Sequence, residues 1–344
     1  MKKLLSVFTL LLVLSSLTLP ALAEEASAPA VPGLSQETEV SAPDLHSAED
    51  AQYTLSLEEG ALDELLLPGE TYEFPLFLSV DGQEPQPVRE RHIKDWKFRV
   101  QVLSGREAVS SFRVEEIDGI YHLRIKTQPG WPAEQTKVTA AIRLVEKNTG
   151  RVRADLDAAF RVGYARIPNE SLEGVQDGEY VYVESSAPVI TAEQFDRLDR
   201  YAEGGKVTFT NGTWRYEVRV TQQDSRNLLY NSSAIKPIVA MFEDQNFKFV
   251  SFPAGPVFDL SGTMTIDVAD EMELFGGKFY VYRYYKGELT RIPAVLDPDD
   301  QSLSFDTKEL GRFVITDREI PDGTIVEDGF NGIYRGQPAE AVSR

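Results

Sequence analysis

The chain contains no cysteine. That excludes disulfide staples, iron–sulfur clusters and thiol catalysis, so the chain must hold itself together by burial alone. Histidine is nearly as scarce. The three present, His46, His92 and His122, form no H-x-x-x-H or H-E-x-x-H pair, which removes the familiar zinc patterns. Positive charge is in deficit: 35 Lys and Arg stand against 55 Asp and Glu, a formal charge of −20. A field of that sign repels nucleic acid and anionic membrane surfaces, and its ordinary consequence is solubility. No G-x-S-x-G, S-x-x-K or P-loop pattern is present, and nothing in the sequence calls for a cofactor. Past the N-terminus, no apolar run approaches the roughly 20 residues that a membrane-spanning helix needs.

The N-terminus is where apolar residues do concentrate. In "MKKLLSVFTLLLVLSSLTLPALAEE", Lys2 and Lys3 precede an apolar stretch over residues 4–19, and Ala21-Leu22-Ala23 follows as an A-x-A cleavage site. This is the pattern of a secretory signal peptide, predicted to be cut after Ala23. No cysteine follows the site, so a lipoprotein anchor is not expected. The mature chain is then expected to be secreted, soluble or associated with the cell envelope, with no membrane span. Residues 24–51, rich in Ala, Pro, Ser and Glu, read as a disordered spacer, because they carry too little apolar surface to offset ordering entropy.

The remainder reads as an all-β chain of two antiparallel, Ig-like sandwich domains. Residues 52–167 show about seven short alternating segments separated by turn residues. "WKFRVQVL" puts Trp96, Phe98, Val100 and Val102 on one side, and Asp118-Gly119 marks a two-residue hairpin turn. Residues 168–320 form the second domain, whose one helix lies near 191–203. There Thr191 and Gln194 make a capping box and Gly204-Gly205 ends the helix. "GKVTFTNGTWRYEVRV" reads as a hairpin about Asn211-Gly212, with Phe209 opposite Trp214 and one wet face. Residues 321–344 read as a flexible tail.

Aromatic residues supply the candidate site. "KFYVYRYYKGEL" alternates so that Tyr280, Tyr282 and Tyr284 face one way, while Phe279, Val281, Arg283 and Tyr285 face the other. The Phe279/Val281 side is expected to cover the core. The tyrosine row then either looks outward as a stacking platform or packs against an adjoining segment; aromatics also favour strands for purely structural reasons. Trp131, in the turn-like "PGWPAE", is the tryptophan expected to be exposed, whereas Trp96 and Trp214 belong to apolar faces. The ligand-binding candidates are therefore Tyr280, Tyr282, Tyr284 and Trp131. "LDPDDQS" echoes a calcium loop in Asp297, Asp299 and Asp300, but it lacks the loop glycine and distal glutamate, so a turn is expected and no metal.

The succession "TAEQFDRLDRYAEGGKVTF", "WRYEVRV", "GTMTIDV", "KFYVYRYYKGELTRIP" and "LSFDTKELGRFVITD" resembles C-terminal β-rich modules in secreted and cell-surface proteins of anaerobic Gram-positive bacteria. Those modules end in a tyrosine-rich strand, a short Gly turn and a last strand of the form Y-V-I-x-D. Here Arg312-Phe313 stands where an aromatic pair is common, and wall-binding repeats are missing. The family has no settled activity, so the resemblance implies location and architecture. The first unit, with "LLPGETYEFPLFL" and "FRVGY", is similar to Ig-like modules found in the same company.

Three readings follow. The first is a non-catalytic exported protein with a structural or adhesive role, whose partners would be cell-wall or host glycans or other surface proteins. The second is a carbohydrate- or peptide-binding accessory protein using an exposed aromatic face. The third is a hydrolase with unrecognised carboxylates, since glycosidases need only two of the many present.

Overall fold

The computed structural model describes residues 51–326. The signal peptide, nearly all of the Ala/Pro/Ser/Glu spacer, and residues 327–344 of the expected tail lie outside the described residues. The fold is all-β. Among the described residues the ladders are antiparallel except at two sheet edges.

Residues from Tyr53 to Val162 surround one core. A four-stranded sheet runs in the order Leu65–Leu66, Val152–Val162, Thr136–Glu146, Trp96–Ser104. Facing strands form two three-stranded sheets, one of Thr71–Pro75, Ile120–Thr127 and Val109–Ile117, the other of Tyr53–Ser56, Phe77–Val80 and Gln86–Pro87. Alternation explains the assembly: Val138, Ala140, Ile142 and Leu144 point inward from one strand and meet Leu123, Ile125 and Phe160 in the same cluster. Trp96 is in this core, edge-on to Tyr53 with ring centroids 4.8 Å apart. At the Ile117–Ile120 hairpin, Asp118 and Gly119 have φ of 51° and 77°, the two positive values that a type I′ turn requires.

A second core begins at Ile167 and lies between two sheets. The six-stranded sheet has the order Tyr180–Tyr182, Lys206–Thr210, Trp214–Arg219, Val257–Asp267, Ser302–Glu309, Val295–Asp297. The five-stranded sheet has the order Phe247–Ser251, Arg312–Thr316, Tyr280–Tyr285, Glu288–Ile292, Thr324–Ile325. Helix α1 (Ala192–Tyr201) starts with the expected capping box of Thr191 and Gln194 and packs Phe195 6.2 Å from Phe209 and 6.1 Å from Phe258. It is also a crossover. The Tyr180–Tyr182 strand pairs in parallel with Lys206–Thr210, and parallel neighbours need a long connection that a hairpin cannot supply. An antiparallel-only sandwich therefore has to be corrected at this edge.

Three further expectations change. The Asn211-Gly212 hairpin pairs Phe209 with Tyr216 and Thr210 with Arg215, two residues away from the two-residue-turn register. The Asn211 side chain is the cause: its Oδ1 accepts from the amides of Thr213 (3.0 Å) and Trp214 (3.3 Å), which builds a longer loop. A shift of two keeps every side chain on its face, so Trp214, Tyr216 and Val218 are still buried. Two short helices that the sequence did not announce, α2 (Lys236–Met241) and α3 (Glu271–Leu274), join α1. Part of the expected tail is structured: Thr324 and Ile325 pair with Leu289 and Glu288, and Val326 is buried.

The tyrosine row takes the second of its two expected places. The five-stranded sheet is covered on both sides. Val281, Phe313 and Ile315 enter the core between the sheets, while Tyr282, Tyr284, Val314 and Phe249 join Ile238 of α2, Ile320 and Val326 in a separate cluster. Tyr282 is fully buried, Tyr284 is buried and Tyr280 is half-buried. The row packs against an adjoining segment and offers no outward platform, because α2 and residues 320–326 lie over it.

Candidate binding face

The strand "YVY" at Tyr180–Tyr182 alternates without ambiguity. Val181 and Val183 enter the core, and Tyr180 and Tyr182 stand outside, 49% and 66% exposed. Side chains two apart on one strand are separated by about 6.5–7 Å, so the two rings lie side by side along the edge of the six-stranded sheet.

Register carries this edge across the sheet as two rows. Tyr180 lines up with Thr208, Glu217, Thr263 and Asp306, and Tyr182 with Thr210, Arg215, Thr265 and Ser304. Each row begins in an aromatic ring and continues through hydroxyl and charged groups. Hydrogen bonds fix the side chains of these rows. Thr263 Oγ1 donates to Asp306 Oδ1 at 2.9 Å, and the hydroxyls of Thr265 and Ser304 are 3.0 Å apart. Lys206 Nζ donates to Glu217 Oε1 at 2.6 Å, and Arg215 Nη2 to Asp300 Oδ2 at 2.7 Å. Thr210 Oγ1 donates to the carbonyl of Trp214 at 2.7 Å.

The charges are fixed by these partners. The hydrogen bond from Arg215, then its charge, holds the Asp300 carboxyl below the usual carboxylate range. Glu217 likewise raises the Lys206 ammonium, through its hydrogen bond first and its charge second. Thr208 and Thr210, next to the rings, are buried, so what the face presents is two aromatic surfaces with Arg215, Glu217 and Asp306 accessible further along the rows. That combination suits a polyhydroxylated ligand, whose rings stack on tyrosine while its hydroxyls reach the polar rows.

The four residues singled out from sequence do not meet at this face. Tyr280, Tyr282 and Tyr284 belong to the other sheet, under α2. Trp131 is half-buried in a loop that joins the two cores: Asn227 Nδ2 donates to the carbonyl of Pro132 at 3.0 Å, and Tyr164 Oη to that of Gly130 at 3.2 Å. Ser225 also donates to Glu134 across this junction. The structure therefore makes the Trp131 loop a joint between the two halves. In "LDPDDQS", Asp297 Oδ1 accepts from the amides of Asp299 (3.0 Å) and Asp300 (3.1 Å), the turn that was expected. Sequence reading passed over Tyr180 and Tyr182, although the signal was present. "EYVYVE" is a short alternating segment with tyrosine on its polar side, and it was overshadowed by the denser cluster a hundred residues later.

Among the described residues, no helix is long and apolar enough to cross a membrane. No family model and no curated protein matches the chain. Among solved structures it is similar to mouse clustered PcdhgC3 EC1-3, at 13% identity over 63% of this chain and with a TM-score of 0.23. The chain spans 63% of the length of that fragment. It is also similar to SGBP-B of the Bacteroides ovatus mixed-linkage glucan utilization locus, in complex with a mixed-linkage heptasaccharide. There the identity is 9%, over 75% of this chain and 73% of the other, with a TM-score of 0.17. Neither likeness is close enough to carry an argument about what this chain does.

Proposed function

We propose that this chain is a non-catalytic, exported protein of a Gram-positive bacterial surface, with an adhesive role exercised through the outer face of the six-stranded sheet. The ligand is an extended glycan of the cell wall or of a host. The observation that carries this reading is the pair Tyr180 and Tyr182, exposed side by side at the head of two polar rows. The leader-like residues 1–23, the lack of cysteine and the strand pattern shared with surface modules support export.

A glycan array probed with the wild-type protein and with Tyr180→Ala/Tyr182→Ala tests the binding. Retention of specific glycans by the wild type and their loss in the variant is the expected result. An array that stays silent, or that the double variant reproduces, removes the proposal. Edman sequencing of protein recovered from culture medium should start at Glu24; an uncleaved N-terminus would contradict export by this leader.

A further inference from the structure

The outer face of the four-stranded sheet carries a second feature, independent of the tyrosine face. Arg99 and Arg143 sit directly opposite each other on adjacent strands. Like charges so placed destabilise a strand pair, and a chain with 55 acidic residues has ample means to neutralise them.

The same protein shows how it does so elsewhere. Arg113 and Arg124 are also directly opposite, and there Glu115 contacts both, at 2.5 and 2.8 Å, while Glu73 reaches Arg124 at 3.1 Å. Arg99 and Arg143 receive no such partner: among the described residues neither takes part in an ion pair, although Asp155 is the cross-strand neighbour of Arg143. Arg99 and Arg143 both line an open depression of about 500 Å³, together with Val100, Gln101, Ala141, Val145 and Val152. Beneath it Ala141 and Val145 are buried, while Val152 is 48% exposed at its rim.

We propose that this depression is a binding site for a carboxylated sugar, a uronic acid residue within a polysaccharide. The paired guanidinium groups take the carboxylate, for which their planar forks are suited. Gln101 meets hydroxyl groups beside it, and Val152 supplies an apolar edge for the ring. A densely charged polymer is disfavoured by the net charge of the chain and by Asp155 and Asp157 on the same face, so one carboxylate per sugar is the fitting density. The volume also exceeds what an isolated carboxylate fills and falls in the range of small-ligand sites.

Isothermal titration with oligogalacturonate, with a neutral glucan oligomer and with poly-glutamate distinguishes the outcomes. Oligogalacturonate is expected to bind through Arg99 and Arg143 and poly-glutamate is not, while any binding of the neutral glucan at the tyrosine face should be the same in wild type and in the arginine variant. Arg99→Gln/Arg143→Gln should weaken binding at least about tenfold. The double variant should melt no lower than the wild type, since it relieves repulsion. Absence of oligogalacturonate binding, equal binding by the double variant, equal binding of poly-glutamate, or a lowered melting temperature would each overturn the assignment.

Discussion

The hydroxyl of Tyr282 holds both backbone groups of Ile320, donating to its carbonyl at 2.8 Å and accepting from its amide at 2.7 Å. One phenol thereby closes the segment leading into residues 320–326 over the outer side of the five-stranded sheet, and the tyrosine row becomes a second small core.

Tyr282→Phe keeps the ring and leaves the amide and carbonyl of Ile320 without their partner in a buried setting. Stability should fall by about 1–3 kcal/mol, the cost of unsatisfied buried polar groups. Urea denaturation measures it. Glycan binding should be untouched, because the tyrosine face belongs to the other sheet.

Burial also dictates behaviour at high pH. Desolvation raises Tyr282 above the ordinary tyrosine value of 10.0 and raises Tyr216 well above it. In the unfolded chain these phenols ionise near that value, so the stability they confer is complete below about pH 10 and is lost as pH rises toward their folded values. Absorbance at the tyrosinate band should show Tyr216 and Tyr282 ionising in a cooperative step that coincides with loss of circular dichroism. A single smooth titration of all tyrosines would contradict this.

Gly262 marks where the long Val257–Asp267 strand shifts register against its neighbour. A Cβ there would stand 2.5 Å from the carbonyl oxygen of Glu217 and 2.8 Å from Tyr216 Cζ. Gly262→Ala should therefore cost roughly 1–3 kcal/mol or more through overpacking, since backbone cannot yield as a flexible side chain would. A thermal melt indistinguishable from wild type would show that the strand slides to accommodate it.

At the tyrosine face, ring and hydroxyl can be separated. Tyr182→Phe should keep most of the affinity for an array-positive oligosaccharide. Tyr182→Ala should lose about tenfold, equivalent to about 1.4 kcal/mol. Equal losses from the two substitutions would assign recognition to the hydroxyl and not to stacking.

Two turns show where sequence reading stops. Asp118-Gly119 and Asn211-Gly212 look alike on paper, and the first forms the two-residue turn that its residues favour. The second forms a longer loop, since Asn211 gives its side-chain oxygen to two amides beyond the turn and Thr210 gives its hydroxyl to Trp214. Side-chain capture of backbone groups is a three-dimensional choice between competing bonds, and a dipeptide does not record it. The short α2 was missed for a similar reason: six residues carry too little periodicity to register, and its place is set by what Ile238 covers.

The residue pattern alone determined that the described chain is built mainly of strands and that a capped helix starts at Thr191, because period-two alternation and the Thr191/Gln194 box are local properties. It also determined that Val281 and Trp214 point inward. Which outward side was wet was a tertiary decision. Tyr280, Tyr282 and Tyr284 alternate as Tyr180 and Tyr182 do, yet α2 and residues 320–326 cover the first set and leave the second open. Alternation assigns a side chain to one face of a strand, and only the packing of distant segments settles whether that face meets water.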